Sequence, residues 1–267
     1  MTAVRLSTGV SLSYVESGAT LGTPVLLLHP WGESLRCFER LLPLLPASIR
    51  AIAMDQRGHG RADKPTDGYT LTDFARDVEA LMDAIDVPAA VLLGSSSGGY
   101  VAQQVAVTSP ARVTGLVLVG SPRSLRGRPP FADELDRLAD PVDRDWVEQS
   151  LTWFPRFHEV PDWYIEDRVA DGVHIPAHVW RDVFAGLITA APPTEIETIS
   201  APTLIIWGDR DDLLKREDQE ALSAAIPGSR LVVYEGTGHL VLWEQPGRVA
   251  ADLTAFVEGL QSAEASI

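Results

Sequence analysis

Cysteine is almost absent from this chain. Cys37 stands alone, which excludes an internal disulfide framework and a cysteine metal cluster and leaves packing in a helix as its expected role. No apolar run approaches the roughly 18 residues that a membrane span needs, and the mean hydropathy is only +0.04. Positive charge is scarce: 22 Lys and Arg face 37 Asp and Glu, a net charge of -15, so neither nucleic acid nor an anionic membrane is an expected partner. Internal repeats and low-complexity tracts are missing. The opening residues Met1 to Leu6 carry no basic start and no long apolar stretch, so no signal peptide or lipidation motif is read and a cytoplasmic location is expected. What is present, 267 residues at 45% hydrophobic and 22% charged, exceeds a usual domain without reaching two. One domain carrying an insertion is the expected organisation, with a sizeable core.

Short apolar runs at 24–28, 51–54, 89–93, 115–119, 203–207 and 231–234 have the look of parallel strands buried on both faces. Helix-like stretches at 35–45, 71–85, 98–108, 216–225 and 246–260 alternate with them, which predicts an α/β fold with a mainly parallel, twisted sheet flanked by helices. Segments 4–6 and 12–15 are expected to form an antiparallel pair at the sheet edge. The alternation stops between 121 and 200, so the core is assigned to 1–120 and 201–267 and the intervening segment to a helical cap. That segment holds nearly half of the chain's aromatic residues, more than its own packing requires, and an apolar pocket beneath it is expected. Trp153, Phe154, Trp180 and Phe184 are its candidate walls, although rings at helical spacing also suit an internal core.

The sharpest motif is Gly94-Ser95-Ser96-Ser97-Gly98, placed directly after one predicted strand and directly before a predicted helix. A serine on so tight a turn is lifted to its tip, the small flanking residues let neighbouring backbone pass, and the helix N-terminus behind it favours developing negative charge. The competing reading is a Gly/Ser-rich loop with no reactive group. A serine hydroxyl needs a base that a third group orients. Among six histidines, His239 follows a predicted strand in Gly236-Thr237-Gly238-His239 at the carboxyl edge of the sheet, where open α/β folds place their sites. Asp209, Asp211 and Asp212 follow the neighbouring strand, and any of the three can orient the imidazole.

Taken with His29-Pro30-Trp31-Gly32 and Asp55-Gln56-Arg57-Gly58-His59-Gly60, these motifs resemble the α/β-hydrolase superfamily of serine hydrolases over roughly residues 10–121 and 200–260. The resemblance implies the α/β-hydrolase fold, Ser96 as nucleophile, His239 as base and Asp211 as the acid, with no cofactor and no metal. It also implies an oxyanion hole from the backbone N–H groups of Ser97 and Trp31, since Pro30 has none to give, with Gly32 one step away. Trp31 would then sit beside the acyl pocket, or merely fill space. Arg57 and Asp55 are expected to fix a loop, His174 and His178 to lie on the surface without a metal, and Glu244 and Pro246 to start a helix. Arg123, Arg126 and Arg128 are read as a solvated basic face. The function expected is hydrolysis of a small carboxylic ester or lactone, apolar or aromatic, through an acyl-enzyme. A C–C bond hydrolase, a hydroxynitrile lyase, a perhydrolase, and a slow-turnover ligand receptor are the alternatives on the same three residues. Oligomeric state is not legible.

Overall fold

The strand-like runs assemble into one eight-stranded sheet whose central strands are buried on both faces. In the computed structural model, which describes residues 1–127, 129 and 131–264, the strands are β1 (Thr2–Arg5), β2 (Ser11–Ser17), β3 (Thr23–Leu28), β4 (Ile49–Met54), β5 (Ala90–Ser95), β6 (Val113–Val119), β7 (Thr203–Gly208) and β8 (Arg230–Tyr234). Their spatial order is β1-β2-β4-β3-β5-β6-β7-β8. β1 pairs β2 and β2 pairs β4 antiparallel at one edge, and every neighbouring pair from β4 to β8 is parallel. The order reverses between β3 and β5. Connections from these two strands therefore leave in opposite directions and open a crevice at their carboxyl ends, the position at which doubly wound sheets bind ligands.

Side chains alternate across the sheet with a period of two. Val25 and Leu27 of β3 face a layer with Phe38 and Leu253, while Leu26 and Leu28 face the opposite layer with Leu81 and Val105. Helices cover both sides: α1 (Leu71–Ala84), α2 (Ser97–Thr108), then α3 (Ala132–Asp136), α4 (Arg144–Ser150), α5 (Asp162–Val173), α6 (Ala177–Thr189) and α7 (Pro193–Ile196) between β6 and β7, followed by α8 (Arg216–Ala225), α9 (Val241–Glu244) and α10 (Pro246–Glu264). α1 starts where it does because Thr70 and Asp73 exchange hydrogen bonds in a capping box. One expected helix fails. Over 35–45 only two 3-10 turns form, Leu35–Phe38 and Leu42–Leu44, because Pro43 brings no N–H with which to continue a helix. Cys37 is buried in the first of these turns, where burial raises its thiol pKa and leaves it a packing group.

Between β6 and β7 the described residues form helices and no strand. α5 is tied to the loop that follows β3: Ser34 donates to Asp171 at 2.7 Å, Tyr164 donates to the Cys37 carbonyl at 2.6 Å, and Arg36 pairs with Asp167. α6 lies so close to the start of α1 that a Cβ on Gly186 would stand 1.9 Å from the Tyr69 carbonyl oxygen. α7 packs on α2. No helix among the described residues is long and apolar enough to cross a membrane.

Candidate active site

The strand β5 ends in the Gly94 to Gly98 turn, and there Ser96 takes φ 48 and ψ -120. For a residue with a Cβ this conformation costs on the order of 1–3 kcal/mol, and the surroundings hold it. The Ser96 N–H donates to the Val119 carbonyl at 2.8 Å. Glycine is required on both sides: a Cβ at Gly94 would lie 2.4 Å from the Gly98 carbonyl carbon, and one at Gly98 would lie 2.2 Å from the Leu28 carbonyl oxygen. The turn thus packs directly on β3 and lifts the Ser96 hydroxyl off the sheet.

Three of the residues singled out in the sequence meet there. Ser96 Oγ lies 3.0 Å from His239 Nε2, and His239 Nδ1 lies 2.7 Å from Asp211 Oδ2. The other carboxylate oxygen of Asp211 accepts the N–H groups of Leu213 and Leu214, both at 2.9 Å, so the acid cannot swivel away from the imidazole. The neighbouring aspartates do other work. Asp209 accepts the Gly236 N–H and shapes the turn before His239, while exposed Asp212 pairs with Lys215. With Asp211 accepting from Nδ1–H, the free lone pair of His239 is on Nε2, facing the serine.

The remaining histidines are differently employed. His29 is fully buried, its Nε2 accepting the Gln56 N–H, and burial followed by the charge of His59 holds it well below the usual imidazole range. Burial also pushes His59 down to about 4. His174 is exposed, and half-buried His178 reaches the Pro65 carbonyl. Asp55 accepts the N–H groups of Leu35 and Arg61, and Arg57 makes a two-pronged bond to Asp77, so both fix loops as expected. Arg123 and Arg126 pair with Glu195, and Arg128 lies outside the described residues.

The expected oxyanion donors stand differently from each other. Among the described residues the Ser97 N–H has no partner, whereas the Trp31 N–H is already given to Ser97 Oγ at 2.7 Å. Gly32 holds φ +83, and the Trp180 indole lies where its Cβ would be, 2.5 Å from the nearest ring atom. The loop after β3 is therefore pressed from above by α6.

Above the serine is a cavity of about 460 Å³ whose lining includes Ser96, Ser97, His239 and Trp31. The four aromatic candidates, Trp153, Phe154, Trp180 and Phe184, all line it, and Phe131 joins them. These rings also pack on one another: Trp31 meets Trp180 edge-on at 5.0 Å, Phe131 stacks on Trp153 at 4.4 Å, and Phe154 leans on the His239 ring at 5.1 Å. Wall and core are thus the same residues. Trp163 and Phe157 point to solvent instead, and Tyr164 is buried beneath α5.

Two carboxylates near the site escape a sequence reading. Glu244 does not start a helix; it ends α9, and its two oxygens accept the N–H groups of Gly238, Phe157 and His158, bracing the His239 loop against the segment before α5. Pro246 opens α10 as its spacing implies. Glu33 lines the cavity although it is only 6% exposed, accepting from the Trp243 indole at 3.2 Å. Burial raises its pKa from 4.5 to about 7, opposed by the charge of Arg168, itself buried and paired with Asp171. The folded chain then keeps this proton between about pH 4.5 and 7 while an unfolded chain has released it, so stability falls as pH rises through that window, by about 3 kcal/mol. Glu33→Gln keeps an acceptor for Trp243 and removes the ionisation. It is expected to match wild type in urea denaturation at pH 4 and to exceed it at pH 8. Equal stability at pH 8 would refute this account of Glu33.

The fold defines the class. Residues 23–246 match the family profile described as the alpha/beta hydrolase fold, and the chain belongs to that family of hydrolases. It is 30% identical to a non-heme chloroperoxidase of Streptomyces lividans, over 97% of this chain and all of the relative. An esterase from Thermogutta terrifontis superposes with a TM-score of 0.82 at 25% identity, covering 97% and 99% of the two chains. An enzyme that degrades N-acyl homoserine lactones superposes with a TM-score of 0.78 at 29% identity, covering 96% and 100%.

Proposed function

We propose that this chain is a serine hydrolase that cleaves a small carboxylic ester or lactone through an acyl-enzyme. The observation that carries the reading is the continuous chain Ser96–His239–Asp211 at the floor of an aromatic cavity. Ser96 Oγ attacks the carbonyl carbon as His239 Nε2 takes its proton. The resulting imidazolium is stabilised by Asp211 and gives that proton to the departing alkoxide. Water then attacks the acyl group with His239 again as base, releasing the acid and restoring the serine. Residues 121–200 act as a cap whose rings select a flat or apolar substrate, and neither metal nor cofactor enters any step. The esterase and lactonase likenesses support a carboxylic ester or lactone as the substrate class.

A panel of aryl esters and lactones, with acyl and alcohol parts varied separately, tests this reading. Turnover of some members, and covalent labelling of Ser96 by a fluorophosphonate, are expected. Wild-type protein that neither labels nor hydrolyses any member would overturn it. The chloroperoxidase likeness favours one second reading, in which hydrogen peroxide replaces water as acyl acceptor and a peracid leaves. Peracid formed from a short acid and peroxide, faster than the ester panel turns over, would decide for it.

A further inference from the structure

The N–H of Trp31 is committed before any substrate arrives. Its acceptor is the side chain of Ser97, the residue after the proposed nucleophile, at 2.7 Å. Ser97 is 9% exposed and its remaining surface lines the cavity beside Ser96. A hydroxyl has one proton to donate and two lone pairs to accept with. Trp31 fills one lone pair, and no described residue accepts the Ser97 proton. The backbone N–H of Ser97 is also without a partner among the described residues. Two unspent donors, one from the backbone and one from the side chain of a single residue, therefore stand next to Ser96.

Consider the carbonyl oxygen of a substrate attacked by Ser96. As the tetrahedral centre forms it becomes an oxyanion and needs donors that are already aimed. The Ser97 N–H is one. To use the Trp31 N–H directly, the oxyanion must expel Ser97 Oγ and strand a hydroxyl at a site where it loses its partner. Accepting from the Ser97 hydroxyl avoids that loss. The Trp31 N–H then polarises Oγ from behind, and a chain running N–H to O–H to O⁻ strengthens each of its bonds.

We propose that the Ser97 side chain is a catalytic oxyanion donor, its hydroxyl oriented by the Trp31 N–H, so that Trp31 acts on the oxyanion through Ser97. This rests on the acyl-transfer reading of Ser96. No bond at Ser97 is made or broken; its proton stays on Oγ throughout. Trp31 is on this view a positioning residue, and the site takes a planar carbonyl that becomes tetrahedral rather than a group already charged.

Steady-state hydrolysis of p-nitrophenyl butyrate by wild type, Ser97→Ala and Ser97→Thr tests it, with thermal melting to verify folding. Ser97→Ala is expected to lose about 100-fold in kcat with KM within about two-fold, because the bond exists only once the oxyanion forms. Ser97→Thr keeps a hydroxyl and is expected to recover most of the loss. Both variants should still be labelled at Ser96 by a fluorophosphonate, Ser97→Ala more slowly. If Ser97→Ala does not fold, Ser97→Cys, close in size but a weak donor, is expected to show the same kcat loss. A folded Ser97→Ala with unchanged or raised kcat, or with its loss confined to KM, overturns the proposal: the hydroxyl would then only plug the site until substrate displaces it. Wild type that fails to label or turn over marks instead the failure of the acyl-enzyme reading.

Discussion

Ser96→Ala is expected to lower kcat on any ester the wild type hydrolyses by at least about 10⁴-fold, with little change in melting temperature. Removing the nucleophile of a serine hydrolase costs up to about 10⁶-fold, and the residue of activity comes from the remaining donors and from binding. Alanine tolerates the φ 48 of this turn no better than serine does, so the strain is unchanged and only the hydroxyl is lost. Activity within ten-fold of wild type would remove Ser96 from the mechanism. Loss of the melting transition together with activity would make it a folding residue.

Asp211→Asn is expected to lower kcat by about 10³–10⁴-fold while KM changes little. An amide oxygen can still accept from Leu213 and Leu214, but the amide NH₂ turned to His239 makes Nδ1 an acceptor and moves the imidazole proton to Nε2. The base then faces Ser96 with no lone pair to receive its proton. Asp212→Asn, which affects only an exposed pair with Lys215, serves as the control and should retain wild-type rates. Equal rates for Asp211→Asn and Asp212→Asn, read by initial velocities near neutral pH, would remove Asp211 from the proton path.

The strands and the serine turn are legible in the sequence because the forces that make them are local. Apolar runs of strand length bounded by turns, and a serine between small residues at a strand-to-helix junction, state their conformation in a few positions. The choice among Asp209, Asp211 and Asp212 is not of this kind. Three acids within four positions offer the same chemistry, and which one reaches the imidazole depends on a turn that points Asp209 at Gly236 and Asp212 at solvent. The aromatic segment is legible as a wall in composition alone. Ring by ring it depends on local geometry: Trp163 is exposed while adjacent Tyr164 is buried, and Phe131 faces the cavity from the position just before a short helix whose start carries no side-chain cap. Glu33 and Arg168 are least visible. Charged residues ordinarily mark solvent, and only packing of α5 on a loop more than 100 positions earlier in the chain turns this pair inward.

The ties of α5 to the loop after β3 bear on how the molecule comes apart. Swinging α5 outward would break the Ser34–Asp171 and Tyr164–Cys37 bonds and carry the Arg168 guanidinium, stacked 4.8 Å over the Tyr164 ring of the same helix, away from buried Glu33. Glu244 fastens the adjoining segment to the loop that carries His239. These bonds join residues distant in sequence into one cooperative block, in which α5 melts with the sheet and not ahead of it. On this account the Ser96–His239–Asp211 hydrogen bonds come apart only with that block.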